Sequence, residues 1–472
     1  MKTSRWLDAL ALICLGTSLA AALAPSRVRL DLGFSVVSLG TWWRPLLLAI
    51  LLAAVRHWGM PRPHLGERIV AWLRGLRTPP VVLSARMLLT TRVPVLLVGY
   101  AATLIIGLPP SGIPTVSEDP LANLPARWDA TWYMEIARAG YRYDARLGPD
   151  DQQSIVFFPL YPMLMRTVAA FTTPERGRMT FDEHYETRQV RRVWSGLFIS
   201  LFAFACALVV VYRWAELHGG PEAAAATVVL LATYPFAVFF SAPYTEGLYL
   251  LLAAGACYAF EQRRLPLAGV AGLLAGLTRP NAVMLSLVLG ILALAPLRQR
   301  ERGWVRRTAS GLLAAAMPAV GLLVYCAFIY RLTGNPFTWI AAQAAWGRNA
   351  GAIAAHYAWM WRTIVDDGLL AYIHAAPTEA VQVVAVVFSL ALVWPVWRRI
   401  GAAYAVFILA NVLPPLIQGG VLSLGRFTAT LFPQFLALAL LVPPERRTSW
   451  IITFAIGQGL IASVFFTWRL IY

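Results

Sequence analysis

The sequence predicts an all-α protein that crosses a membrane many times, and three observations carry that prediction. Of the 472 residues, 59% are hydrophobic and only 13% are charged, where a soluble domain of this size carries about 25% charge. The mean hydropathy is +0.62. The apolar stretches are continuous and lack the period-two alternation of a membrane β-barrel. Helices must therefore satisfy the backbone inside the lipid.

The spans are read off in chain order. A crossing helix needs about 20 apolar residues, fewer where neighbours cover it. The stretches that qualify are 9–24, 36–56, 87–108, 193–212, 223–240, 247–261, 266–279, 282–297, 309–330, 379–397, 401–417, 427–443 and 449–467. They predict a bundle of about 13 transmembrane helices. The first residues resemble a signal peptide, with Lys2 and Arg5 ahead of an apolar core. Pro25, directly after Ala22-Leu23-Ala24, argues against cleavage and favours a first membrane helix.

The net charge of +17 reports topology, not nucleic-acid binding. Lys2 is the only lysine; the arginine bias points to a GC-rich, bacterial genome. Basic clusters fall at Arg56–Arg86, Arg263 and Arg264, Arg298–Arg307, Arg398 and Arg399, and Arg446 and Arg447. With the N-terminus inside, all of them face the cytoplasm, as the positive-inside rule requires. The apolar stretch FFPLYPMLMRTVAAF (157–171) is nearly long enough to cross. Crossing would send the later clusters outside, so it reads as a re-entrant or surface helix, bent at its start by Pro159 and Pro162. Residues 109–192 then form a first external loop and 331–378 a second, both with room for juxtamembrane helices. Short external turns hold Tyr244-Thr245-Glu246, Thr278–Asn281 and Leu424–Phe427.

Cys14, Cys206, Cys257 and Cys326 lie in apolar runs without CxxC spacing and read as packing residues. His184 and His356 lack metal-ligand spacing, and no glycine loop for nucleotides or dinucleotides is present. The chemistry-bearing residues gather on the external side. In RWDATWYMEIARAGY a helix from near Arg127 would bring Trp128, Trp132 and Ile136 into one apolar stripe along the membrane interface, with Asp129 beside it. The competing reading of Asp129 is a first-turn carboxylate that satisfies free N–H groups and the helix dipole. Glu246 stands at the mouth of a span, where a carboxylate is costly unless solvated or used. Arg279 and Asn281 share a turn between two short spans. Arginine there suits a phosphate, by its paired donors, or snorkels to headgroups. Gln343, Trp346 and Arg348 fall in the second loop, where Trp346 either stacks on a sugar or anchors in the interface. Arg426 opens a span on the external side, against the charge trend, which favours an anionic partner.

In order along the chain, RWDATWYMEIARAGY, FFPLYPMLMR, SAPYTEGLYLLLA, AGLLAGLTRPNAV, NPFTWIAAQAAWGR and SLGRFTATLFP resemble the GPI mannosyltransferase II (PIG-V-type) family and its bacterial relatives. The resemblance covers roughly residues 87–443. It implies the GT-C fold and a glycosyltransferase that takes a hexose, typically mannose, from a polyprenyl-phosphate donor. The acceptor would be a glycan or glycolipid met at the external face of the plasma membrane, with inversion at the anomeric carbon. Asp129 matches the family's catalytic carboxylate and Glu246 its acidic position after the third core span. Arg279, Asn281, Arg348, Arg426, Gln343, Trp346, Trp128 and Tyr161 are the expected donor-phosphate and substrate contacts. Two carboxylates permit a divalent metal without requiring one, so no metal ligand is assigned. Residues 1–86, a helix pair and a basic cytoplasmic loop, fall outside the resemblance as an accessory unit; 87–472 form the membrane catalytic domain. The alternative is a transporter or lipid flippase, since a broken helix at 279–282 and a re-entrant 157–171 are also transporter features. Against it stand the scarcity of mid-span charge and the lack of repeat symmetry.

Overall fold

The structure, a computed structural model, describes every residue except 1, 24–27, 32–35, 40–42, 60–66, 68–76, 111–112, 149–150, 173–179, 299–302, 348–349 and 470–472. Helices α1 (Lys2–Leu23) and α2 (Trp43–Gly59) flank a small antiparallel pair, β1 (Val28–Asp31) and β2 (Val36–Leu39). The second predicted span thus starts later than residue 36, because Val36, Val37 and their neighbours pair as a strand. Asp8 and Arg56 form an ion pair at 3.1 Å, which brings polar groups of two apolar helices together. Most of the predicted basic loop after α2 lies outside the described residues.

The remaining helices follow in order. They are α3 (Pro79–Ile105), α4 (Asp129–Ala139), α5 (Leu160–Thr172), α6 (Phe181–Thr233) and α7 (Glu246–Glu261). Next come α8 (Leu265–Gly276), α9 (Leu285–Ala293), α10 (Trp304–Thr333), α11 (Ala350–Arg362) and α12 (Leu369–Ala375). The last are α13 (Pro377–Arg399), α14 (Ala402–Gly419), α15 (Leu424–Thr428), α16 (Phe432–Leu441) and α17 (Pro444–Phe466).

α6 is two helices joined at a corner. Gly220 has φ +76°, a conformation glycine adopts freely, and Pro221 follows it. Beyond the corner the chain comes back to the first half: Ser200 Oγ donates to the Tyr244 carbonyl at 3.0 Å, and Phe204 stacks on Phe240 at 4.3 Å. The second half stops at Thr233, passes through a 3-10 turn (Pro235–Ser241), and α7 leaves at 102° to that turn.

Among the described residues, six helices (α3, α6, α10, α13, α14 and α17) are long and apolar enough to cross a membrane, or seven if the bent pair is one span. α8, α16 and the stretch Pro280–Ala293 are apolar but only 10–17 residues long, as are the apolar stretches Trp6–Ser18 in α1 and Pro45–His57 in α2. Length alone therefore does not give the predicted 13. α5 has 13 residues, about 20 Å of helix against a hydrocarbon core of about 30 Å. It is too short to cross alone, and it packs Tyr161, Met165 and Ala169 inward.

α7 sets the depth axis. Its first residue is Glu246 and its last Glu261, about 22 Å apart along the helix. Around Glu261 gather His218 at 3.0 Å and the Tyr404 hydroxyl. Arg263 and Arg264 follow Glu261 closely in the chain, and Arg398 and Arg399 shortly precede Tyr404. The turns with Tyr244, Arg279 and Arg426 meet at the Glu246 end.

Candidate active site

Each charged residue of the site stands at the end of a helix, where the backbone makes room for it. Trp128 takes φ +52°, so the chain turns sharply and α4 begins at Asp129. Buried Arg127 ties that turn down by donating to the carbonyls of Phe466 and Asn123, both at 2.6 Å. Ser423, with φ +63°, precedes α15 and Arg426 in the same way. Strained non-glycine backbone of this kind costs of order 1–3 kcal/mol and clusters at working sites. Gly425 permits the next step, since a Cβ there would overlap the Phe236 ring.

These ends place four charges in a row. Arg426 Nη1 donates to Asp129 Oδ2 at 2.6 Å, and its Nε lies 3.7 Å from Glu246 Oε1. Arg279 Nη1 donates to the same Glu246 oxygen at 2.9 Å. The order is Asp129, Arg426, Glu246, Arg279, with carboxylate and guanidinium alternating. Glu246 is 1% exposed. Its Oε2 has no hydrogen-bond partner among the described residues. Phe427 lies under both cations, 4.5 Å from the Arg279 guanidinium and 5.8 Å from that of Arg426. Tyr249 and Tyr244 flank them at 5.6 and 5.4 Å. Such stacking suits arginine's flat, weakly hydrated head. Burial works against the Arg426 charge, but Asp129 and Glu246 outweigh it and hold its pKa above the ordinary arginine value.

The row lines a cavity of about 580 Å³, within the range of small-molecule sites. Asp129, Glu246, Arg279, Asn281, Gln343 and Arg426 are among its polar lining residues. Leu322, Leu323, Met284, Ile340, Pro414 and Pro415 are among its apolar ones. Leu323, on α10, is 61% exposed, so the cavity is open there. Both predicted external loops contribute walls: Tyr133 and Phe157 from the first, Gln343 and Trp346 from the second. Burial, with Asp129 and Glu246 adding to it, pushes the Tyr133 phenol above its ordinary pKa and keeps it neutral.

Asp129, Glu246, Arg279, Asn281, Gln343, Trp346 and Arg426 thus meet in one place. Asn281 also donates to Asn411 at 2.8 Å, which fixes its turn to α14. Asp129 does stand in the first turn of its helix, but its carboxylate also pairs with Arg426 across 297 positions of sequence. Arg279 is 6% exposed and bonds Glu246 instead of reaching outward.

Four expectations meet a different placement or fall outside the described residues. Trp128 lies outside α4 and outside the cavity lining, its ring 4.7 Å from Trp468. The predicted interfacial stripe faces protein instead: Ile136 is 2% exposed, and Trp132 packs on Phe157 and Trp346. Tyr161 is fully buried behind the wall, donating to Gly196 O at 2.8 Å and touching the Tyr133 ring at 5.1 Å. It supports a lining residue and does not line the cavity itself. Arg348 lies outside the described residues.

Sequence reasoning missed Tyr244, whose hydroxyl accepts the Asp129 N–H at 3.2 Å, and Tyr133. It also missed two buried glutamines that clamp the Arg426 turn. Gln382 accepts the Gly425 N–H at 2.6 Å, and Gln434 donates to Thr428 O at 2.7 Å. Glutamines within apolar spans were the available signal.

Arg426 lies between the two carboxylates, so a metal bridging them would have to displace it. Among the described residues no three His, Cys, Asp or Glu side chains are grouped to hold an ion.

Residues 85–372 match the family model of mannosyltransferases of the PIG-V type. The chain belongs to that family. Several of its helices are apolar and long enough to cross a membrane, in a multi-pass arrangement. No curated protein matches the sequence. Among solved structures, the crystal structure of the Archaeoglobus fulgidus oligosaccharyltransferase in complex with zinc and sulfate is similar at a TM-score of 0.45 and 15% identity. That similarity covers 79% of this chain and 53% of the other, so this chain spans about half the length of that relative.

Proposed function

We propose that this mannosyltransferase-family protein moves a hexose, mannose by family preference, from a polyprenyl-phosphate donor to a hydroxyl of a glycan or glycolipid, in the GT-C manner. One observation carries the reading: alternating carboxylates and guanidiniums line a cavity whose remaining lining is largely apolar. A polyprenyl-phosphate sugar has this same division, with a charged and hydroxylated head on a hydrocarbon tail.

The residues take distinct parts. Glu246 is held by two arginines and acts as their organiser, with Oε2 left to accept a sugar hydroxyl. Arg279 and Arg426 receive the donor phosphate, for which the planar fork is suited. When Arg426 turns to the phosphate, Asp129 is released as the base. It takes the proton from the acceptor hydroxyl as that oxygen forms its bond to the anomeric carbon. The bond from that carbon to the phosphate oxygen breaks, and the guanidiniums hold the departing charge. Attack opposite the leaving group inverts the centre. Trp346, at the cavity wall, offers a ring face for the sugar.

The site lies at the opposite end of α7 from Arg263 and Arg264, and from Tyr404, which Arg398 and Arg399 shortly precede. By the positive-inside rule that end is extracytoplasmic, at the plasma membrane of a bacterium. Residues 1–86 are proposed as an accessory unit. Among the described residues, α1 packs on α2 and the unit meets the rest through α5.

The test is transfer of label from radiolabelled polyprenyl-phosphate mannose to a membrane extract by purified protein in lipid, beside Asp129→Asn. The expected result is product from the wild type and a loss of about 10²–10⁴-fold in the variant, with donor still bound. Normal turnover by Asp129→Asn would refute the base. Donor neither bound nor consumed by the wild type would favour a transporter.

A further inference from the structure

A second arginine system lies behind the site. α3 contains one π-helical turn, Leu88–Arg92, and ends it on an arginine that is 2% exposed inside an otherwise apolar span. Extra-wide turns of this sort mark functional places in helices, and ionisable groups at membrane depth are costly unless used. Arg92 makes no ion pair with a carboxylate among the described residues. Its five N–H groups meet five acceptors instead. Nε donates to Thr91 Oγ1 at 3.1 Å, Nη1 to the Ala237 carbonyl and to Ser241 Oγ at 3.3 Å. Nη2 donates to the Ala232 carbonyl at 2.6 Å and to Gln458 Oε1 at 3.1 Å. The guanidinium sits 5.2 Å from the Phe204 ring.

The acceptors share one property. Ala232 and Ala237 lie where the second half of α6 breaks into the 3-10 turn before α7. A helix that ends inside a membrane leaves carbonyls without partners, and no water replaces them. Gln458 of α17 serves the same break, its Nε2 donating to Ala232 O at 3.1 Å and Tyr234 O at 2.8 Å. The cation also faces the negative end of the α6 dipole.

The break leads straight into the site. Four residues separate Ser241 from Glu246, and Tyr244 among them accepts the Asp129 N–H. Phe236, in the same turn, packs against Gly425 beside Arg426. Tyr234, at its start, bonds Thr428 of the Arg426 helix at 2.8 Å.

We infer that Arg92 is a positioning residue for sugar transfer: it replaces the missing helix bonds of the 232–245 break and thereby fixes Glu246, Tyr244 and the Arg426 turn relative to Asp129. It touches no cavity-lining atom and acts through the break alone. The inference rests on the proposed transferase reading. Lysine keeps the charge but cannot reach acceptors along the whole break, whereas glutamine keeps neither charge nor reach. A misplacement of about 1 Å in a catalytic group costs up to about 10²-fold in rate.

The experiment measures transfer by purified wild type, Arg92→Lys and Arg92→Gln in lipid, with active sites counted by donor binding. Wild-type activity tests the transferase reading by itself, before any variant is compared. The expected result is a kcat per binding site about tenfold lower in Arg92→Lys and lower again in Arg92→Gln, with donor KM changed less than about threefold. The acid limb of the kcat profile should shift as well, because the surroundings of Asp129 change. A merely structural arginine would lower the melting temperature and the yield of binding sites while kcat and its pH profile stayed put, and that result overturns the inference. If neither variant folds, Ser241→Ala, which removes one contact at the break, and Gln458→Leu, which removes three, decide on the same readout. Unchanged kcat in both overturns the inference, and a kcat loss at constant KM supports it.

Discussion

The two ends of α7 each hold a carboxylate among polar partners, buried at Glu246 and half-buried at Glu261, and they differ in what is left over. At the far end Glu261 accepts from the Tyr404 hydroxyl with one oxygen, and His218 lies 3.2 and 3.0 Å from its two oxygens. Trp214 Nε1 donates to the same tyrosine oxygen at 2.8 Å. Aromatic rings close the space: Trp214 packs on Tyr404 at 4.9 Å and on Phe432 at 4.6 Å. At the near end Glu246 keeps one oxygen without a partner, and the charges open onto a cavity. Charge and at least partial burial are common to both ends, so neither marks function. Unspent hydrogen-bonding capacity facing a cavity does, because a buried polar group left unpaired costs about 1–3 kcal/mol until a ligand satisfies it.

Substitutions at the near end should therefore cost turnover. The largest effect after Asp129→Asn is expected from Arg426→Lys. The charge is kept, but one lysine head cannot pair with Asp129, approach Glu246 and lie over Phe427 together, as the guanidinium does. Transfer should fall about 10²-fold, the size of losing one donor aimed at developing charge. Single-turnover rates with bound donor measure it, and near-normal rates would remove Arg426 from the chemistry. Arg279→Lys should do less. Arg279 sits between the rings of Phe427 and Tyr249, one step further from Asp129 along the row. Its loss should raise donor KM about tenfold and leave kcat nearly intact. A kcat effect as large as that of Arg426→Lys would mean that the two arginines form one unit.

The sequence showed more of this than its residue spacing alone would allow, and the limits have physical causes. Glu246, Arg279 and Arg426 stood out because charge at the mouth of an apolar span is expensive. Their convergence was not visible, since Asp129 and Arg426 lie 297 positions apart. Periodicity misjudged the Asp129 helix. Trp128, Trp132 and Ile136 do recur every four residues, but Trp128 leaves the helical region at φ +52° and the stripe faces protein. A hydrophobic period reports that a face is buried and cannot report whether lipid or protein buries it. The span count has the same root. α8 and α16 read as spans by composition and are helices of 12 and 10 residues, shorter than a lone crossing needs. Arg92 was legible as a charge inside a span and was passed over, because its partners are backbone carbonyls that no sequence pattern displays.

The smallest predicted effect on activity is the sharpest test of the comparison. Glu261→Gln preserves shape and alters only what the oxygens can accept. The amide nitrogen would have to face either the Tyr404 hydroxyl or His218, and both now point at carboxylate oxygen. Losing charge-assisted bonds at a site where the carboxylate is 18% exposed should cost about 1–3 kcal/mol of stability. Thermal unfolding in detergent should show this as a lower melting temperature. Transfer per folded molecule should stay within about twofold of wild type, because the closed network has no capacity left for a substrate and lies a full α7 length from Asp129. A tenfold loss of transfer at constant donor binding would show that α7 couples its two ends. Glu261 would then belong to the same machinery as Glu246, and a satisfied network could no longer be read as a structural one.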